Sequence, residues 1–303
     1  MQVRKIPVSQ GLAWFRAAIE LGARNPKAVF GASLLFMATL YVFALVMVGV
    51  VLAVRGEAGG APNLMLMALV FVPLFLGLMV LMPILLGGMM HVIREAEAGR
   101  PVRARDLFAP FRSPRVRTLV VLGLLQVVLS IVGGMVMIAV AGPTYWQEYL
   151  GAIRGAMGGA TPVMPQPAHP GLLMVVQLAF NYFTYAVMLF AVPLVLFSGL
   201  GIVDAVRDAL RASVRNIGAN LVAAGLFVGG TIVAAVVIVM LSTLLASVGA
   251  LVHPAVGAML SLLPLLAFAA AMLVVLAGGA YIAWRDTFDG PQATPPPFGG
   301  IEA

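Results

Sequence analysis

The chain has 303 residues, 62% of them hydrophobic and 10% charged, and its mean hydropathy is +1.07, a balance that excludes an ordinary soluble domain and defines an integral membrane protein. The absence of cysteine excludes disulfides, thiolate metal sites and cysteine nucleophiles. A net charge of +7 would raise nucleic acid as a partner in a soluble chain; here the question is where the charges sit.

Twenty-seven residues precede the first long apolar run, and that run is too long for a secretory leader. Within them Leu12, Phe15, Ile19 and Gly22 recur at helical spacing, while Arg16, Glu20 and Arg24 form an i, i+4 ladder on another face. The pattern predicts an amphipathic helix on the membrane surface, with Trp14 among the headgroups and the chain broken at Asn25 and Pro26. Uncharged apolar runs able to cross ~30 Å of hydrocarbon, about 20 helical residues, follow at 28–54, 64–93, 116–142, 171–200, 217–249 and 254–284. Arg117 lies just inside the third, and the fifth run is long enough to predict a tilt or a stop near Ser247 to Gly249.

The stretch between the second and third spans carries Arg94, Arg100, Arg103, Arg105, Arg112, Arg115 and Arg117 together with Leu107, Phe108 and Phe111. Arginines suit anionic headgroups, each contributing roughly 1 kcal/mol near a charged surface, while the apolar residues insert. Enforcement of topology alone is the competing explanation of the same charges. Between the third and fourth spans, Tyr145, Trp146, Tyr149 and Ile153 are placed to lie in the opposite interface, and residues 155–170 are rich in Gly, Pro and Met. After the fourth span the amphipathic design returns: Ile202, Val206, Leu210 and Val214 oppose Asp204, Arg207, Asp208, Arg211 and Arg215, with Asp208 in reach of Arg211. Residues 291–303, with Pro295, Pro296 and Pro297, read as a disordered tail behind a single membrane domain at 1–290.

Sixteen of the eighteen Lys and Arg residues fall on one side of these spans, leaving Arg55 and Arg154 for the other. Basic loops are retained in the cytoplasm, so both termini are expected there. An ungapped offset of 191 residues also superposes the first pair of spans on the third: Arg16 on Arg207, Arg24 on Arg215, Asn25 on Asn216, Pro73 on Pro264, Gly87 and Gly88 on Gly278 and Gly279, and Arg94 on Arg285. Arg112, Ser113 and Pro114 stand in the middle pair where Arg24, Asn25 and Pro26 stand in the first, a looser match. The alternative is that Arg and Pro recur only because they mark membrane boundaries. Three parallel-oriented hairpins, each entered through a cytoplasmic segment, are the expectation.

Ionisable groups inside a membrane mark ion and proton pathways, and the spans hold almost none. Gln177, Asn181 and Tyr182 in the fourth form a candidate polar pocket, with interhelical hydrogen bonding as the plainer account. His91, His169 and His253 are scattered without clustered acids, so no metal or cofactor is expected, and no nucleophile or acid/base pair predicts an enzyme.

Gly11, Leu12, Ala13 and Trp14, followed by Arg24, Asn25 and Pro26, resemble a family of uncharacterised proteobacterial inner-membrane proteins. So do Gly87 to Met90, Glu97 to Pro101, and the run from Asp106 to Phe111. The resemblance spans most of the chain, is strongest over residues 11–117, and implies a polytopic helical fold in a Gram-negative inner membrane with no assigned activity. In layout the chain is also similar to the membrane domain found beside glycerophosphodiester phosphodiesterases, whose catalytic domain it lacks.

The expected structure is therefore all-α: a polytopic transmembrane bundle of six spans in three hairpins, with short amphipathic cytoplasmic interface helices. Its expected partners are membrane lipids and another membrane protein, without nucleic acid. The candidate contacts to headgroups or to that protein are Arg100, Arg103, Arg105, Arg112, Arg115, Arg117, Phe108 and Phe111. Carriage of a neutral or amphipathic solute is the alternative, motivated by parallel repeats and by Pro73, Pro83, Pro193 and Pro264 in the return helices.

Overall fold

A computed structural model describes the chain outside residues 56–63, 143, 158–160, 162–163 and 290–303. The expected disordered tail, and part of the Gly, Pro and Met-rich stretch, lie outside the described residues. The described chain is an all-α bundle in which six helices are long and apolar enough to cross a membrane. These are α2 (Pro26–Arg55), α3 (Leu64–Glu97), α4 (Val116–Ala141), α6 (Pro170–Leu196), α8 (Ile217–Ala250) and α9 (Pro254–Trp284). Shorter helices α1 (Gln10–Arg24), α5 (Tyr145–Met157) and α7 (Ile202–Arg215), a 3-10 segment (Ala104–Arg112) and a π turn (Arg285–Asp289) complete it.

The ends follow local chemistry. Asn25 closes α1 and its side-chain oxygen accepts from the Ala28 N–H at 3.3 Å, while Pro26 opens α2. The 191-residue register carries Pro26, the first residue of α2, onto Ile217, the first of α8. The fourth long helix stops at Leu196, short of the expected Leu200. The Phe197 N–H folds back to the Pro193 carbonyl at 2.8 Å, and Gly199 adopts φ +70, a left-handed conformation that glycine reaches without a Cβ clash.

Helices α2 and α3, α4 and α6, and α8 and α9 pack in pairs, and α3, α6 and α9 also touch one another. The core lies at one end of this arrangement. It draws on residues 28–36 of α2, 84–96 of α3, 119–123 of α4, 187–195 of α6 and 270–284 of α9. This is the end that gathers the arginines. Toward the other end, no described residue of 37–50, 71–82 or 170–183 is buried. There Gly133 lies against the Phe180 ring of its own pair, and Gly249 meets Gly257 across the α8–α9 turn. The pairs are joined at the basic end and separate toward the other.

Three short segments seal the joined end. The α1 helix packs on α8 and α9, the 3-10 segment on α2 and α3, and α7 on α6. Each segment thus lies against the pair that precedes it, with α1 closing the circle onto the last pair. One sequence expectation is corrected here. Trp14 is 1% exposed and forms part of the core, not the headgroup layer, because its indole N–H finds Asp286 at 2.9 Å. The face of α1 that packs on protein is Gly11, Trp14, Ala18, Leu21 and Gly22, about a quarter turn from the apolar edge of Leu12 and Ile19, which face outward. In α7 it is likewise Ala205, Asp208, Ala209, Ala212 and Ser213 that are buried, with Val203, Leu210 and Val214 exposed. Small residues win the inward face because they let helix axes approach closely.

Candidate functional site at the basic end

The 3-10 segment is anchored by its two buried residues, Leu107 and Pro110. Leu107 is fully buried, and its carbonyl lies so near Gly88 of α3 that a Cβ there would stand 1.8 Å from the oxygen. Leu107 therefore inserts into protein and not into lipid, as the sequence suggested, and burying it stabilises the docking by about 2 kcal/mol. The turn is started by Asp106, whose Oδ2 accepts the Arg103 backbone N–H at 2.7 Å. Phe108 is half-buried against the core, and Phe111 is exposed with its ring centroid 6.2 Å from that of Phe108.

This anchoring distributes the candidate arginines unequally. Arg103, Arg105, Arg112 and Arg117 are exposed. Arg100, also exposed, forms a two-pronged pair with Glu95 at 2.5 and 2.7 Å, and the carboxylate holds the guanidinium above its ordinary pKa. Arg115 instead donates to the Gly199 carbonyl at 2.8 Å, tying the start of α4 to the end of α6. Gln177 and Asn181 come together, with Gln177 Nε2 donating to Asn181 Oδ1 at 3.2 Å. Tyr182 points elsewhere: its hydroxyl donates to the Ser213 carbonyl at 2.8 Å and accepts from Asn220 Nδ2 at 3.3 Å. The three polar residues do not converge on one pocket.

A second set of polar residues, missed in the sequence, locks the centre of this end. Arg285 Nη1 donates to Glu97 Oε1 at 2.5 Å, and Asp286 accepts from Gln10 at 3.0 Å, Trp14 at 2.9 Å and Arg285 at 3.3 Å. Arg94 stacks 4.7 Å above the Phe197 ring, which packs on Tyr281 and Trp284. The N-terminal segment is pinned beside it. The Ile6 N–H donates to Asn216 Oδ1 at 2.9 Å, Asn216 Nδ2 donates to the Arg4 carbonyl at 3.0 Å, and the Met1 amine meets Asp208 Oδ2 at 2.7 Å. Sequence separations above 200 residues hide these pairings. The one visible signal was the repeated Asn25 and Asn216 at equivalent positions.

Chemically the end is a basic, aromatic-edged surface over a closed core. Among the described residues no three His, Cys, Asp or Glu side chains gather as a metal site would need, and His253 serves as the cap of α9, its Nδ1 accepting the Ala255 N–H at 3.1 Å. The glutamates and aspartates described above are paired with arginine, amine, amide or indole donors and form no exposed acid/base pair. The class these features define is a polytopic membrane protein without evident catalytic machinery. Comparison with known protein families, curated proteins and solved structures gave no match.

Proposed function

We propose that this is a non-enzymatic integral membrane protein that engages anionic lipid through its basic end, with that end and both termini in the cytoplasm. The single observation that carries this is the docking of the 3-10 segment. Leu107 fixes it to α2 and α3, while Arg103, Arg105, Arg112, Arg117 and Phe111 stay exposed beside the ends of the spans. A protein that needed arginine only to set its topology would have no use for anchoring them in one rigid patch with an exposed ring. The one-sided charge supports the orientation, and the resemblance of the Gly11 to Pro26 and Gly87 to Phe111 motifs to proteobacterial inner-membrane proteins supports a Gram-negative inner membrane as the location. The offset of 191 residues, kept at the starts of α2 and α8, supports three hairpins of common orientation.

The test replaces Arg103, Arg105, Arg112 and Arg117 with Gln together, sparing Arg115 because it holds Gly199. Native mass spectrometry in the presence of phosphatidylglycerol is expected to show fewer retained lipids than the parent protein, with phosphatidylcholine retention unchanged. Equal phosphatidylglycerol retention would remove the proposal.

Carriage of a neutral or amphipathic solute is a second reading, favoured by the separation of the helix pairs away from the basic end. Proteoliposomes containing a fluorescent phospholipid discriminate the two. Transbilayer movement faster than in protein-free vesicles would favour the carrier, and no acceleration favours the lipid-engaging surface.

A further inference from the structure

The 191-residue register sets α1 and α7 side by side as two versions of one helix. Both turn the same positions outward: Leu12 and Ile19 in α1, Val203 and Leu210 in α7. At the next outward positions they differ. Where α1 has Glu20 and Ala23, α7 has Arg211 and Val214, so at these positions a basic side chain replaces an acid and the apolar edge is larger, while Asp204 and Asp208 stand where α1 has Ala13 and Ala17. The same stretch of α7 borders an open groove of about 890 Å³ whose walls include Met1, Val3, Leu210, Arg211, Val214 and Arg215. On α1, Glu20, the counterpart of Arg211, instead borders a smaller cleft of about 230 Å³ that Ala17, Leu21, Glu97 and Arg285 also line.

We infer that the α7 groove is a seat for one anionic phospholipid of the leaflet at the basic end. The charge balance favours it. Arg211 and Arg215 are both exposed, whereas Asp208, the acid beneath them, is 1% exposed, is engaged by the Met1 amine and lies 3.6 Å from Arg211. The exposed Asp204 is paired with Arg207 a turn earlier, at 2.5 Å, and contributes no net charge to the groove. A phosphodiester placed between two guanidinium groups accepts from planar forks suited to its oxygens.

The second part of the argument is where the groove leads. From Val214 an exposed column continues into the long helix through Ile217, Leu221 and Val228, with open space at Gly225. Ile217, Leu221, Gly225 and Val228 recur every three or four residues and so share one face of α8, with Val214 preceding them on α7 across the break at Asn216. At ~1.5 Å per residue the column runs about 16 Å along α8, close to the ~15 Å depth of one leaflet's hydrocarbon. A headgroup held at the arginines would lay its acyl chain along this column. A free phosphate compound has the first contact and lacks the second.

The inference rests on the proposal that the basic end engages anionic lipid, but it assigns a discrete site outside the Arg100 to Arg117 segment. Its test uses Arg211→Gln/Arg215→Gln in the full chain, titrated with phosphatidylglycerol and read by native mass spectrometry. The apparent affinity of the tightest bound lipid is expected to fall about thirtyfold, and Arg211→Lys/Arg215→Lys is expected to recover most of it. Unchanged affinity in the Gln variant overturns the inference. The four-arginine variant of the 3-10 segment separates the two proposals: loss of lipid there alone leaves the broad surface and removes the groove, and loss in the groove variant alone does the reverse. Soluble glycerol 1-phosphate is expected not to displace the lipid at millimolar concentration; displacement would overturn the assignment of a lipid occupant.

Discussion

At the scale of single residues, Gly88 controls whether the arginine-bearing segment can dock. A valine there would place carbon atoms inside the space of the Leu107 carbonyl, and because both partners are backbone, neither a rotamer change nor a small side-chain shift relieves it. Gly88→Val is expected to lower stability by about 1–3 kcal/mol, read as a drop in Tm in detergent. Gly134→Ala, where nothing lies within 4 Å, is expected to leave Tm unchanged or slightly raised. Equal effects of the two would show that close approach at Gly88 is not what seats the segment. The glycine pair was visible in the sequence as a repeated feature, matched by Gly278 and Gly279, but its partner was not: a carbonyl on a nine-residue 3-10 turn leaves no periodic trace. Trp14 escaped for a different reason. An indole reads as an interface residue by composition, and only the position of Asp286, 272 residues away, makes it a buried hydrogen-bond donor.

Among elements, the six long helices were legible nearly to their ends because length without charge is a strong requirement in hydrocarbon. The short helices were legible as helices with an apolar edge, but the residues that meet the core were not. Hydropathy weights Leu, Ile and Val above Ala and Gly, yet α7 buries Ala205, Ala209, Ala212 and Ser213 and exposes Leu210 and Val214, and α1 buries Gly11, Ala18 and Gly22 beside Trp14 and Leu21 while Leu12 and Ile19 face outward. In a soluble protein burying the larger side chains would dominate; against a membrane, the large side chains lose little by remaining at an apolar surface, and close axial contact decides. One amide also helps hold the N-terminal segment, beside the Met1 amine on Asp208 and the Arg4 N–H bond to the Thr287 carbonyl at 3.1 Å. Asn216 is 2% exposed and bonds both to the Ile6 N–H and to the Arg4 carbonyl. Asn216→Ala is expected to loosen residues 4–6, so that trypsin cuts after Arg4 and Lys5 several-fold faster while Tm changes little. A parent-like cleavage rate would place the hold on this segment elsewhere.

For the whole molecule, the joined end and the separated end make opposite predictions about order. The chain lacks cysteine, so spin labels can be placed without background. Pairs among Ala13→Cys, Ala98→Cys and Val203→Cys at the basic end are expected to give narrow distance distributions. Pairs among Val72→Cys, Leu178→Cys and Met259→Cys at the other end, where no other pair covers these residues, are expected to give broad ones. Equally narrow distributions at both ends would mean that the pairs are locked along their full length. The circular order of the joined end also bears on synthesis. Helix α1 packs against α8 and α9, yet it leaves the ribosome first, and at ~5–20 residues per second its partners follow roughly 10–50 s later. During that interval the face carrying Gly11, Trp14, Ala18 and Leu21 has no protein to cover it. Insertion of the last pair is therefore the step that completes assembly, and a chain arrested before α9 emerges would carry an unshielded apolar helix that a quality-control factor could recognise.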